Sequence, residues 1–146
     1  MDVERTFIVD QPIERTFAFL SDFENTEQWD PGTVSTRRTG GDGGLGTTYK
    51  NVSEFMGRQV ELDYETVGYE EPTVFVCRGV NGRTTATDHL TFTAVDGRTQ
   101  IHYRAVFDFP FPISVLAPLL VRGKIEKLAD ETVEQIKQTL ESPAGS

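Results

Sequence analysis

With a single cysteine, Cys77, the chain cannot close an internal disulfide, and with only His89 and His102 beside it there is no Cys/His cluster at structural zinc spacing. No metal and no cofactor are therefore expected. Long apolar runs are also missing. Nothing approaches the ~20 consecutive apolar residues of a membrane span, so no integral membrane association is expected. The opening Met1-Asp2-Val3-Glu4-Arg5 lacks a basic segment leading into an apolar stretch, and the expected location is cytoplasmic. Basic charge is scarce: 14 Lys and Arg face 23 Asp and Glu, for a net charge of −9. A protein that neutralises phosphates needs clustered cations, which Arg37-Arg38 does not supply, so nucleic acid is excluded as a partner. The few Lys and many Thr fit a salt-adapted cytoplasm, where dense surface carboxylates keep a protein soluble, and fit an ordinary acidic protein equally.

Catalytic strings are absent too. No Ser/His/Asp order with a supporting motif and no dinucleotide glycine fingerprint occurs. The glycine-rich stretch 40–46 lacks the Lys-Ser/Thr ending and the following helix of a phosphate loop, and reads as a flexible connection or a mobile lid.

What the chain does contain is a succession of alternating apolar and polar runs, bounded by turn signals and closed by one long amphipathic segment. At 146 residues it is expected to be one domain, 1–146, burying roughly 68–70% of its unfolded surface without disulfides. Val3 to Val9 alternates and predicts a strand. Pro12, with Asp10 or Gln11 as cap, predicts a helix through Asp22, and a second short helix runs over Asn25 to Trp29 until Pro31 and Gly32 stop it. A strand follows near Val34 to Thr39. Ser142 to Ser146 is expected to fray.

Turn signals set a register for the strands between Thr47 and Phe109, because cross-strand partners share a face. A two-residue turn at Asn81-Gly82 places Val80 opposite Arg83, Cys77 opposite Ala86 and Phe75 opposite Asp88. A turn at Asp96-Gly97 places Phe92 opposite Ile101, Leu90 opposite Tyr103, Asp88 opposite Ala105 and Ala86 opposite Phe107. A four-residue connection at Glu70 to Thr73 puts Val60, Leu62, Tyr64 and Thr66 on the same face and Glu65 opposite Arg78 on the other. A turn near Met56-Gly57 adds Tyr49, Asn51, Ser53 and Phe55 to the apolar side. After Pro110, Pro112 and Pro118, a helix is predicted from about Leu119 to Glu141, with Ile125, Ala129, Thr132, Ile136 and Leu140 along one stripe.

This order, together with Val3-Glu4-Arg5-Thr6-Phe7-Ile8-Val9, the aromatic Pro12 to Asp22 helix, Trp29-Asp30-Pro31 and the Pro110 to Leu120 entry into the last helix, resembles the START/Bet v 1-like superfamily. Within it the chain is most similar to the small bacterial and archaeal polyketide cyclase/dehydratase-like branch. The resemblance implies an α+β helix-grip fold: a seven-stranded curved antiparallel sheet, two short helices and a long C-terminal helix. It also implies a hydrophobic cavity between sheet and last helix that holds a lipid-, sterol- or polyketide-like molecule. Some relatives are enzymes and many are carriers.

The register makes Asp88 the most telling residue. It falls on the apolar face near Phe75, Ala105, Leu90 and Tyr103, where an ionised carboxylate is costly unless paired, hydrated or protonated. It is the candidate catalytic acid, and alternatively a carboxylate at a cavity mouth. Tyr49, Asn51, Tyr64, Phe75, Asp88, Leu90, Tyr103, Phe107, Ile125 and Ala129 are the candidate ligand-binding residues, with the tyrosines supplying direction to a mainly apolar pocket. His89 and His102 fall on the outer face, and Cys77 sits inside as a small hydrophobe rather than a nucleophile. Trp29 either covers the pocket entrance or pins the short helices to the sheet.

Three functions compete. The leading one is binding or transport of a small hydrophobic molecule in a cavity of roughly 300–1,000 Å³. The second is a cofactor-independent cyclase or dehydratase in which Asp88, with Tyr64 or Tyr103, moves protons. The third is a protein-interaction module presenting the aromatics of the segment from Phe107 to Pro112 to a protein partner.

Overall fold

A computed structural model describes residues 1–141; the expected fraying of 142–146 lies outside the described residues. Those residues form seven strands, β1 Asp2–Val9, β2 Thr33–Gly40, β3 Thr48–Phe55, β4 Arg58–Glu70, β5 Val74–Asn81, β6 Thr84–Val95 and β7 Arg98–Asp108. They pair antiparallel in one sheet of order β1-β7-β6-β5-β4-β3-β2. The helices are α1 Ile13–Ser21, α2 Thr26–Trp29, preceded by a 3-10 turn at Phe23–Asn25, and α3 Ile113–Glu141. The architecture is the α+β helix grip, with α3 packed on the concave side against β1 and α2.

Turn chemistry decides the register. Met56 and Gly57 both have positive φ, as do Asp96 and Gly97, the type I′ geometry whose twist suits a two-residue hairpin. The β6–β7 pairs are those the sequence predicts, including Asp88 opposite Ala105 and Leu90 opposite Tyr103. The β5–β6 hairpin is different. There Asn81 pairs with Thr84, Cys77 with Asp88 and Phe75 with Leu90, so the turn is Gly82-Arg83 and the expected pairing is off by two residues. The reason is conformational: φ is positive at Gly82 but Asn81 is the last residue of β5, which matches a turn with glycine first rather than second. A two-residue error preserves the face of every side chain, so Asp88 still points inward. Between β4 and β5 the turn shortens to Glu71–Thr73, with Thr73 N–H donating to Glu70 O. A register shift between Thr66 and Gly68 then restores the expected pairing of Glu65 with Arg78.

Two further expectations are corrected at helix starts. Neither Asp10 nor Gln11 caps α1; Pro12 occupies the cap position, while Gln11 instead donates its amide to the Leu140 carbonyl 2.8 Å away. The last helix begins at Ile113, not near Leu119, and carries Pro118 within it. Proline there removes the bond to the Ser114 carbonyl and crowds it with its ring, and Ser114 lies on the exposed side of the helix.

The stripe of α3 divides in two. Ile136 and Leu140 join a dense cluster with Phe17, Leu20, Phe23, Trp29, Phe75 and Phe92, where α1 and α2 drive aromatic rings between sheet and helix. Phe17 meets Phe92 and Tyr69 edge-on, with centroids 5.3 and 5.2 Å apart. Ile125 and Ala129 pack with Val3 and Ala105 in a second, smaller cluster, whose short side chains leave a cavity beside them. One half of the grip is therefore filled and the other is open. Ile136 is fully buried in the filled half, so Ile136→Ala should cost about 2–5 kcal/mol, read as a lowered denaturation midpoint; an unchanged midpoint would show that the filled half does not hold the helix.

Candidate functional site

The open half contains a cavity of about 230 Å³, walled by Val3, Ala86, Ala105, Phe107 and Phe109 from the sheet side and its exit, and by Ile125, Leu128 and Ala129 from α3. It is smaller than the expected range, with Tyr64, Tyr103 and Phe107 forming part of its wall. Two other hollows, of about 380 and 480 Å³, have charged walls, one at Asp63, Glu65 and Arg78 and the other along the outer side of α3 at Lys127, Asp130 and Glu134.

Of the sequence-predicted site residues, Tyr64, Asp88, Tyr103, Phe107, Ile125 and Ala129 line the apolar-walled cavity. Phe75 and Leu90 are fully buried in the filled cluster, with Tyr49 beside them. Asn51 is buried in a polar chain behind the cavity: its Nδ2 donates to Thr36 Oγ1 at 2.9 Å and its Oδ1 accepts from Ser53 Oγ at 2.7 Å. Thr36 lies 2.6 Å from Thr26 Oγ1, whose proton goes to the Phe23 carbonyl. Thr36 is thus the donor between them, and the chain braces α2 against β2 and β3.

Asp88 is the chemical centre. Its Oδ1 accepts a 2.8 Å hydrogen bond from the Tyr103 hydroxyl, and Tyr103 is held in turn by an edge-on contact with Trp29, centroids 6.3 Å apart. Trp29 is fully buried, so it pins α2 to the sheet. Asp88 retains some accessible surface, but that surface borders the cavity, and packed protein on the other sides strips its hydration. Burial pushes its pKa up to about 7, opposed by the bond from Tyr103 and assisted by the negative charge of Asp30. The same burial raises Tyr64 and Tyr103 well above the ordinary phenol value, with Asp88 adding to it, so both remain hydroxyl donors at neutral pH.

Asp30 is the residue that sequence reasoning treated only as a helix stop. It lines the cavity and its pKa is raised by burial, against hydrogen bonds from the Gly32 N–H at 2.9 Å and the Thr33 hydroxyl at 3.0 Å. Its local signal, Asp before Pro-Gly, describes the turn it builds; its approach to Asp88 comes from the packing of α2 on the sheet. The remaining candidates sit as their strand parity requires. His102 faces outward and pairs with Glu4 at 3.1 Å, His89 lies opposite Arg104 on the same outer side, and burial raises the thiol pKa of Cys77. Among the described residues no three of His, Cys, Asp and Glu gather as a metal ligand set.

Gly79 matters to this geometry. It lies opposite Tyr64, and a Cβ there would fall 2.6 Å from the Tyr64 ring. Only glycine lets that ring lie flat across β5 while reaching the cavity wall.

Residues 1–141 match the family described as polyketide cyclase / dehydrase and lipid transport. The chain belongs to this family. Among solved structures, this family member is similar to the Zhui aromatase/cyclase from Streptomyces sp. R1128, with a TM-score of 0.77 at 14% identity over 100% of this chain and 98% of the other. TTHA0849 from Thermus thermophilus gives 0.73 at 20% identity, covering 93% and 91%. Ara h 8.0201 gives 0.60 at 18% identity, covering 93% and 97%. At such identities these likenesses establish the shared fold. No curated protein matches the chain.

Gly79→Ala should displace Tyr64 and cost about 1–3 kcal/mol by overpacking, measured as a lower denaturation midpoint. A second expected outcome concerns pH. Folded Asp88 keeps its proton up to about pH 7, whereas the unfolded chain releases it near about 3.9. Over that window the native state binds more protons, so the stability Asp88 contributes is greatest below it, declines as pH rises through it and levels off above about 7. The decline is on the order of 4 kcal/mol at most. Asp88→Asn should lose this part of the pH dependence, leaving the variant the more stable protein at about pH 8 in paired urea titrations; parallel pH curves for the two proteins would mean Asp88 titrates as an ordinary carboxylate.

Proposed function

We propose that the protein binds and carries one small, mostly apolar, uncharged molecule in the concave-face cavity, oriented by hydrogen bonds from Asp88 and Tyr64, with Tyr103 donating its own proton to Asp88. The observation that carries this reading is the lining. Apolar walls surround Tyr64, Tyr103 and three acids, Asp30, Glu54 and Asp88, with no Lys, Arg or His among them. A ligand carboxylate or phosphate would bury a further negative charge beside these acids with no cation to answer it. A ketone, ether or hydroxyl fits, because neutral Asp88 can donate a proton from the oxygen that Tyr103 does not use. The volume of about 230 Å³ favours a molecule of one or two rings over a full sterol. The family description, which names both polyketide chemistry and lipid transport, supports the ligand class.

Matched probes test this directly. By calorimetry at about pH 6, where Asp88 holds its proton and the arylacetate is ionised, 2-naphthylethanol should bind, and 2-naphthylacetate should bind at least about tenfold more weakly. Equal or tighter binding of the acid would overturn the electrostatic reading, and failure of both probes would overturn the small-ligand reading.

A second reading is supported by one specific observation: a pKa of about 7 on Asp88 suits a group that both gives and takes a proton near neutrality. On that reading the protein is a cyclase or dehydratase, with Asp88 as the proton carrier, Tyr103 donating to it, and Tyr64 holding the substrate carbonyl. Asp88→Asn separates the two, since an enzyme loses turnover while retaining its ligand and a carrier retains affinity for the alcohol probe.

A further inference from the structure

Among the described residues, nothing packs against most of the circumference of the start of α3. Ile113, Val115, Leu116, Leu119 and Leu120 are exposed, the last two at 82% and 71%, and Phe111 just before the helix is 78% exposed. At 3.6 residues per turn the five helical side chains cover an arc of roughly 160°. Only Ala117 on the opposite side is buried, with Val121 partly so against the cluster of Val3 and Ala105. A contiguous apolar surface of this kind marks an interaction site rather than ordinary exposure.

Charge around this surface points to what covers it. In a chain of net charge −9, no Asp or Glu occurs between Asp108 and Glu126, and the two charges within that segment are Arg122 and Lys124. On the helical wheel each lies about 20° outside one edge of the apolar arc, where a long basic side chain can run its stem along the apolar face and keep its charge at the level of lipid headgroups. Beyond Leu120 the same side of the helix carries Glu126, Lys127 and Asp130, so the apolar face ends within two turns. No helix among the described residues is long and apolar enough to cross a membrane. A second copy fits less well: a two-fold contact of this segment with itself brings Lys124 near its own counterpart and offers Arg122 only Glu126, the acid one turn along that it already meets at 3.9 Å within its own chain, an exposed contact that leaves the guanidinium open to headgroups.

We infer that the Phe111 to Lys124 segment is a peripheral docking face for an anionic lipid bilayer, with Phe111, Leu116, Leu119 and Leu120 entering the interface and Arg122 and Lys124 meeting the headgroups. The remainder of the acidic surface is repelled from such a bilayer, which orients the protein on it. Docking in this pose brings the bilayer next to the cavity, since Phe109 lines the cavity and Phe111 lies two residues further along. The inference goes beyond the ligand reading and stands on different residues.

Vesicle flotation tests it, using vesicles of pure POPC and of an equimolar POPC and POPG mixture. The protein should float with the mixture and at least about tenfold less with POPC alone. Leu119→Glu combined with Leu120→Glu, at positions already exposed, should abolish flotation while leaving the thermal midpoint unchanged. Arg122→Gln combined with Lys124→Gln should reduce flotation with the mixture to the POPC level. The inference is overturned if the wild type floats with neither vesicle or if the leucine variant floats as the wild type does. It is also overturned if sedimentation equilibrium shows a dimer that the leucine variant converts to monomer, which would assign the face to a second copy.

Discussion

A curved sheet wrapped around one helix leaves a wedge of space that a single helical stripe cannot fill, and this geometric constraint organises the rest of the molecule. At one end the wedge is closed by rings supplied from α1, α2 and the turn between them, Phe17, Phe23 and Trp29, against which Ile136 and Leu140 pack. At the other end the facing residues are Val3, Ala105, Ile125 and Ala129. Close packing sets the density of protein interiors, so an interface lined by alanines either collapses or stays open. Here collapse is resisted by the anchored end. Gln11 and the backbone N–H of Asp10 bond the last turn of α3 at 2.8 Å each, and Arg5 reaches Asp130 at 2.8 Å across the helix midpoint.

That opening sets the electrostatics. Acids on the wall of a narrow apolar cavity lose hydration without gaining cations, and the cheapest response is to hold a proton. Asp88 does so while accepting from Tyr103, and Asp30 meets the same burial with the Gly32 amide and Thr33 hydroxyl as partial compensation. Asp30 raises Asp88 further, and both carboxyls help keep the tyrosines protonated. At neutral pH the wall thus offers tyrosine hydroxyls and an Asp88 that is part-protonated, held in place by Trp29 on one side and Gly79 on the other.

Strand parity, face assignment and the helix-grip order were legible from alternation and from glycine placement, because a period of two needs only local residues to be read. The β6–β7 hairpin was read to the residue from Asp96-Gly97, and Asp88 was placed inward despite a two-residue error on the β5 side, since an even slip leaves the face unchanged. Six of the ten candidate binding residues reach the apolar-walled cavity. Tyr49, Asn51, Phe75 and Leu90 share their face but lie elsewhere in the wedge, and alternation along a strand carries no information about position along the helix that covers it.

Sequence alone determined which side chains face inward, that one of them is a carboxylate without a local partner, and that the last helix carries an apolar stripe. Tertiary structure decided where along that stripe the space remains, because filling depends on which aromatic rings α1 and α2 bring to the far side. It also decided that Asp30 joins Asp88, two residues 58 positions apart in the chain, through the docking of a four-residue helix on the sheet. The early start of α3 at Ile113 was hidden behind three prolines that read locally as breaks. Pro118, inside the helix, removes one hydrogen bond and crowds the carbonyl four residues back, and whether that cost is tolerated depends on neighbours and solvent exposure that no local pattern records.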